Sequence, residues 1–272
     1  MIPAAFDYKV ADSAEAAIAM LGEYGDEAKL LAGGHSLIPM MKFRLAAPAV
    51  LVDIARISDL SYIRQENGHL AIGSMTRHTE VEHSDLVRAE VPMLAHVASL
   101  VGDPSVRHRG TLGGTLAHSD PASDLPAAVL ALGGTIVAQG PNGSREIAAS
   151  EFFTGYFESV LAEDELITEI RVPTGTGGWN YQKFNRRAQD WAIVGVGVAD
   201  GGKGISLVNM GSTPLRATAA EEALAGGASA AEAAALAAAG TSPPQDNNAD
   251  AEYRAHLAQV LTRRALEAAG VA

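Results

Sequence analysis

Cysteine is absent from all 272 residues. That excludes disulfides, and it excludes any iron–sulfur cluster held by this chain's own thiolates. Aromatic residues are scarce, at 5%, so the cores must be built mainly from Leu, Val, Ile and Ala. No run of about 18 apolar residues suggests a membrane span. The opening MIPAAFDYKVADS lacks the basic start and apolar stretch of a signal peptide, which makes a cytoplasmic protein the expectation. Positive charge is also short: 20 basic residues face 32 acidic ones, for a net charge of -12. An acidic surface argues against nucleic acid or an anionic membrane as the main partner, though a local basic pocket is still allowed.

What is present reads as globular, with 47% hydrophobic and 19% charged residues. Asp12 or Ser13 can cap a helix to about residue 23, AKLLAGG reads as a short buried strand, and Ser36 fits a helix N-cap with Pro39 in the first turn. With a strand at 51–54, residues 1–54 read β-α-β-α-β. YIRQENGHLAIGSM reads as a hairpin turning at Asn67-Gly68. Helical patterns follow at about 76–83, 91–101 and 122–132. RGTLGGTLAHSDPASD, polar and broken by glycine, reads as loop. A second hairpin turns at Pro141-Asn142-Gly143, and ELITEIRVP closes the region as a strand. TGTGG at 174–178 is the best linker. Beyond it come strands at about 180–186, 192–199 and 204–210, an alanine-rich helical stretch at 217–239 and a long final helix. The expected units are 1–54, 55–173 and 178–272.

Two glycine-rich loops carry the chemistry: Ala32-Gly33-Gly34-His35-Ser36 and Thr111-Leu112-Gly113-Gly114-Thr115. Neither is a Walker A loop or a GxGxxG fingerprint. Both offer backbone N–H groups flanked by hydroxyls, and glycine lets that backbone approach a ligand. Each loop alone reads equally as an ordinary turn; the pair suggests one pyrophosphate gripped from both sides. Downstream, Asp120 and Asp124 fit helix caps, while Asp124 also fits ribose hydroxyl recognition. Arg107-His108-Arg109 is a basic cluster that could face phosphate, a partner or solvent. In YQKFNRRAQDW, Tyr181 and Lys183 share a strand face, and Trp191 could stack on a ring system. His35 has no second ligand at metal spacing, and neither Ser36 nor Ser119 sits in a nucleophile elbow.

Taken together, AGGHSLIPMMKFRL, RHRGTLGGTLAHSDPASDLPA, KFNRRAQDWA and AEYRAHLAQVLTRRAL resemble the medium, flavin-binding subunits of molybdenum hydroxylases, in order and over nearly the whole chain. His35 leans towards the carbon monoxide dehydrogenase branch; the flavin domain of xanthine dehydrogenase is related. The resemblance implies an α+β architecture: a two-lobed fold like that of vanillyl-alcohol oxidase holding extended FAD, then a C-terminal α+β domain. It implies that Ala32, Gly33, Gly34, His35 and Ser36, with Thr111, Leu112, Gly113, Gly114 and Thr115, wrap the pyrophosphate. Gly102 and Asp124 would hold the adenosine side. Lys183 would lie near the flavin ring, with Trp191 where the carbon monoxide dehydrogenase pattern has a tyrosine, and Thr115 replaces an asparagine often found after the glycine pair. It also implies that molybdopterin and [2Fe–2S] clusters sit on a large and a small partner subunit. Electrons would then leave FAD for a quinone, NAD or oxygen. A free-standing flavin oxidase and the medium subunit of a xanthine- or N-heterocycle-oxidising enzyme are the alternatives. No catalytic residue and no metal site are expected on this chain.

Overall fold

The computed structural model describes residues 2–272. The first unit is β1 (Asp7–Val10), α1 (Ala14–Tyr24), β2 (Ala28–Leu31), α2 (Leu37–Lys42) and β3 (Val50–Asp53). Its three strands form a parallel sheet in the order β1-β3-β2. Ser13 caps α1 by accepting from the Ala16 N–H at 3.1 Å. The apolar stripe Ala17, Ile18 and Leu21 then packs in one buried cluster with Val50 and Val52 of the central strand.

A second, antiparallel sheet follows: β4 (Ile63–Glu66), β5 (His69–Gly73), β6 (Thr135–Gly140), β7 (Gly143–Ala148) and β10 (Leu166–Pro173) in the order β4-β5-β10-β6-β7. The β4–β5 hairpin turns at Asn67 (φ 44) and Gly68 (φ 82), as two consecutive positive φ values require of Asn-Gly. Between β5 and β6 run α3 (His78–His83), α4 (Asp85–Glu90), α5 (Pro92–Ser99), α6 (Pro104–Arg109), α7 (Leu112–His118) and α8 (Asp124–Ala131). Short α9 (Ala149–Phe152) and the two-strand pair β8 (Phe153–Gly155) and β9 (Glu158–Ser159) precede β10.

The third sheet is antiparallel: β11 (Asn180–Phe184), β12 (Val194–Ala199), β13 (Gly204–Val208) and β14 (Leu215–Arg216). Then come α10 (Thr218–Ala225), α11 (Ala230–Ala235) and the long α12 (Ala251–Ala268). Both faces of this sheet are covered. On β12, Val194, Val196 and Val198 share a core with Leu257, Leu261 and Ala265 of α12. The opposite face joins the core of the preceding unit through Tyr181, Ala199 and Val208. Helix α8, buried at all eight positions, is the element they meet. No helix among the described residues is long and apolar enough to cross a membrane.

Two expectations need correction. Residues 110–124 are not all loop: α7 runs straight through the glycine pair. Thr111 caps it by accepting from the Gly114 N–H at 3.2 Å, while Leu112 and Leu116 are buried. Tertiary packing outweighs the helix-breaking cost of two glycines here. The basic cluster is likewise the last turn of helix α6, capped by Asp103. Ser36 does precede α2, but its hydroxyl makes no capping bond.

The same substitution should act oppositely at two glycines. A Cβ on Gly204 would collide with the Ala131 carbonyl at the α8–β13 contact, whereas Gly22, within α1, has open space around it. Gly204→Ala should cost about 2–3 kcal/mol through overpacking. Gly22→Ala should gain up to about 1 kcal/mol through helix propensity. Urea titrations of the two variants check this; a Gly204→Ala protein as stable as wild type would contradict the packing described.

Candidate functional site

The two glycine loops meet. A Cβ on Gly33 would collide with the Arg109 carbonyl and lie 2.9 Å from the Gly110 Cα, and one on Gly114 would lie 3.7 Å from the Ala32 Cβ. Glycine at 33 is therefore demanded by the close approach of two backbones from different sheets' elements. Beside this seam lies a cleft of about 510 Å³ lined by Ala32, Gly33, Gly34, His35, Lys42 and Arg109, among others. Asp53 is its one carboxylate, and the Asp53 oxygens already accept from the Tyr8 hydroxyl and from the Ala55 N–H at 2.7 Å. The cleft is therefore locally basic in an acidic protein.

The loops are not equivalent. Among the described residues, the N–H groups of Gly33, Gly34, His35 and Ser36 donate to no acceptor. In the second loop every N–H but that of Thr111 is taken: Leu112 donates to the Thr76 carbonyl at 3.0 Å, Gly113 to the Ser74 carbonyl at 2.8 Å, Gly114 to the Thr111 hydroxyl at 3.2 Å and Thr115 to the Thr111 carbonyl at 3.1 Å. Bare amides were expected on both sides. Only the first loop has a run of them, because α7 and its contacts with residues 74–76 use all but the Thr111 N–H of the second. The cleft is thus lined by the first loop, while Thr111, 2% exposed, turns its hydroxyl to the Gly114 N–H. The His35 Nδ1 lies 3.3 Å from the Gly33 carbonyl, and no group of three or more His, Asp or Glu side chains placed to hold a metal ion is found among the described residues.

Beneath the second loop, His78 is 4% exposed and its Nδ1 lacks a partner. Burial first, then the nearby His35, Arg77 and Arg107, lower its pKa to about 4, so it is neutral at pH 7. Its Cδ2 would be 2.6 Å from a Cβ on Gly110, which places the ring against the backbone just before the second loop. No sequence signal marked this histidine. Arg107 faces away from the cleft, donating to Glu82 at 2.7 Å and to the Gly102 carbonyl at 3.2 Å; only Arg109 of that cluster lines the cleft.

A second group of residues gathers around Asp124. Its Oδ2 accepts from Lys183 Nζ at 2.7 Å and its Oδ1 from the Tyr181 hydroxyl at 2.8 Å. Lys183 also donates to the Leu100 carbonyl at 3.0 Å, two residues from Gly102. Asp124 is 4% exposed. Burial pushes its carboxyl upward against the pull of the Lys183 ammonium and the Tyr181 O–H. Neither aspartate caps a helix: Ser123 holds the N-cap position of α8 without a side-chain capping bond, and Asp120 closes the turn ahead of it by accepting from the Ala122 N–H at 2.9 Å. The separation of Asp124 and Lys183 to opposite ends of a dinucleotide also does not hold, since an ion pair joins them. Trp191 stands apart, 59% exposed on the loop between β11 and β12.

Residues 4–175 match the family described as FAD binding domain in molybdopterin dehydrogenase, and residues 179–269 match the CO dehydrogenase flavoprotein C-terminal domain. The carbon monoxide dehydrogenase medium chain of Hydrogenophaga pseudoflava is 43% identical, over 99% of this chain and 98% of that one. A solved structure of the carbon monoxide dehydrogenase from the same organism superposes with a TM-score of 0.94 at 45% identity, covering 99% of both chains. Quinoline 2-oxidoreductase from Pseudomonas putida 86 gives 0.92 at 31% identity, also over 99% of both.

Two outcomes follow. Asp124→Ala would strand the Lys183 ammonium in the interior and should cost about 3–5 kcal/mol, against about 1 kcal/mol for a lost cap; denaturant titration distinguishes the two. His78 contributes an acid sensitivity. Its folded pKa, about 4, lies below the unfolded value of 6.5, so the unfolded chain binds the extra proton as pH falls through that window. Wild type should lose about 3 kcal/mol more than His78→Leu between pH 6.5 and pH 4. Parallel stability profiles for the two proteins would refute the assignment.

Proposed function

The chain belongs to the FAD-binding medium subunits of molybdenum hydroxylases, and from that premise we propose that it carries electrons from partner-subunit [2Fe–2S] clusters through FAD to an external acceptor, most like carbon monoxide dehydrogenase. The observation that carries this reading is the junction of the two glycine loops beside a basic cleft, with four free amides on one side. FAD supplies the step between two-electron and one-electron chemistry that no side chain of this cysteine-free chain can perform. It would lie extended between the lobe of residues 1–54 and that of residues 55–173.

Residues Ala32 to Ser36 would bind the diphosphate through main-chain N–H groups, with Arg109 adding charge. Thr111 and Thr115 would close the other side with hydroxyls, and Leu112, Gly113 and Gly114 would keep the backbone of α7 against it. The ion pair of Asp124 and Lys183 would stand at the flavin-ring end, since an ammonium there offsets the negative charge that reduction adds to the ring. Gly102 would border that end through the turn that feeds Leu100 to Lys183. Trp191 would form the outer wall of the flavin.

Charge transfer from a cluster requires a partner: the small iron–sulfur subunit would dock at the flavin edge, and the large subunit would hold the molybdopterin. The 43% identity to a carbon monoxide dehydrogenase medium chain, against 31% to the quinoline enzyme chain, favours carbon monoxide as the substrate of the whole complex.

The purified chain should bind one FAD, released completely by acid precipitation. Alone it should oxidise neither carbon monoxide nor N-heterocycles. Mixed with its two partner subunits, carbon monoxide should bleach the flavin absorbance. Yellow protein in the acid pellet would overturn noncovalent binding. Bleaching of the isolated chain by a substrate would promote a free-standing oxidase, and bleaching of the complex by a heterocycle alone would move the substrate reading to the quinoline-type relatives.

A further inference from the structure

The face of the third sheet that meets the FAD-binding unit is stripped of side chains in one place. β12 reads Val-Gly-Val-Gly-Val-Ala. Its valines fill the core beneath α12. Its glycines, 195 and 197, lie on the other face, directly opposite Lys183 and Tyr181 in the β11–β12 register. A Cβ on Gly195 would sit 3.0 Å from the Tyr181 hydroxyl, and one on Gly197 would sit 2.7 Å from Met93 Cε and 3.3 Å from the Tyr181 ring. The glycines thus make a slot that only a ring lying flat along the sheet fills. Tyr181 occupies it, 5% exposed, with its hydroxyl carried to Asp124 Oδ1.

That hydroxyl has one hydrogen-bond partner, and the partner's other oxygen holds Lys183. A carboxylate restrained by a single cation can swing about its Cβ–Cγ bond; one restrained through both oxygens cannot. An O–H donated to Asp124 also withdraws negative charge from it and leaves more of the Lys183 positive charge uncompensated.

We propose that Tyr181 is a positioning residue of the cofactor site: delivered by the C-terminal sheet through the Gly195–Gly197 slot, it fixes the Asp124–Lys183 pair and thereby sets the affinity and reduction potential of the flavin. This rests on the reading that Asp124 and Lys183 border the flavin. It assigns to the C-terminal sheet a part in tuning a cofactor whose diphosphate contacts lie on the two preceding lobes.

The test compares wild type, Tyr181→Phe, Asp124→Asn and the double variant, with Val196→Ala as a control that thins the same strand on its α12 side. Each full chain is titrated with FAD, the bound flavin's midpoint potential is measured against a redox dye, and the apo-proteins are melted. Tyr181→Phe should weaken FAD binding about tenfold, the scale of one hydrogen bond to a charged group, and lower the potential. Val196→Ala should lower the melting temperature and leave affinity and potential in place. In the Asp124→Asn background, Tyr181→Phe should add nothing, because its effect passes through that carboxylate. A Tyr181→Phe protein that melts lower but keeps wild-type affinity and potential would overturn the proposal, as would effects that add in the double variant. Wild type that binds no FAD would instead overturn the flavin reading itself.

Discussion

A buried ion pair that crosses between two sheets' territories organises this molecule. Asp124 opens α8 and Lys183 sits on β11, 59 residues later. Taking both charges out of water costs several kcal/mol, and their attraction offsets that only with good geometry and further hydrogen bonds. Those bonds exist: the Tyr181 hydroxyl on one carboxylate oxygen and the Leu100 carbonyl on the ammonium. Such a pair adds little net stability but tolerates few alternative packings. It forces the third sheet to seat on α8 in one register, and that seating makes α8 buried on every side.

The contact between the first and second units follows a different logic. No ion pair is needed where Gly33 lies against Arg109 and Gly110, because the main chains themselves touch. Van der Waals contact at that range has no tolerance for a methyl group, so the loop positions are fixed sterically. The two seams, one steric and one electrostatic, fix residues 33–36 of the first unit and Lys183 of the third sheet against the helices of the second unit.

Much of this was legible in the sequence. Period-two and period-3.6 patterns located the first β-α-β-α-β unit, both hairpins and the last helix, because each has its own turn or cap residues: Asn67-Gly68, Ser13, Asp250. The paired glycine loops and Lys183 could be singled out because residue type alone carried the signal. What stayed hidden depends on contacts remote in sequence. Helix α7 contains two glycines that local propensity counts against it, and only Thr76 and Ser74, some 36 to 39 residues upstream, show why it forms. Asp124 resembled a cap because Asp is common in first turns; its real partners are 57 and 59 residues away. His78 carried no motif at all. Its environment is made by burial first and then by His35, Arg77 and Arg107 nearby.

The distribution of charge shows how an acidic chain can present a basic cleft. Many of its cations are neutralised in place: Arg107 by Glu82, Arg171 by Glu169, Arg216 by Glu221, Arg254 by Asp246. What faces the cleft is Lys42, Arg109 and a run of main-chain N–H groups. Amides are fixed dipoles that need no counter-ion when the site is empty and no reorientation when an anion arrives. A cluster of lysines at the same place would repel one another in the absence of a ligand. Holding most of the attraction in a glycine loop therefore lets the chain keep its net charge of -12 and still receive a dianion. Lys183, its side chain 8% exposed, lies outside the lining of that cleft and is neutralised separately, by Asp124.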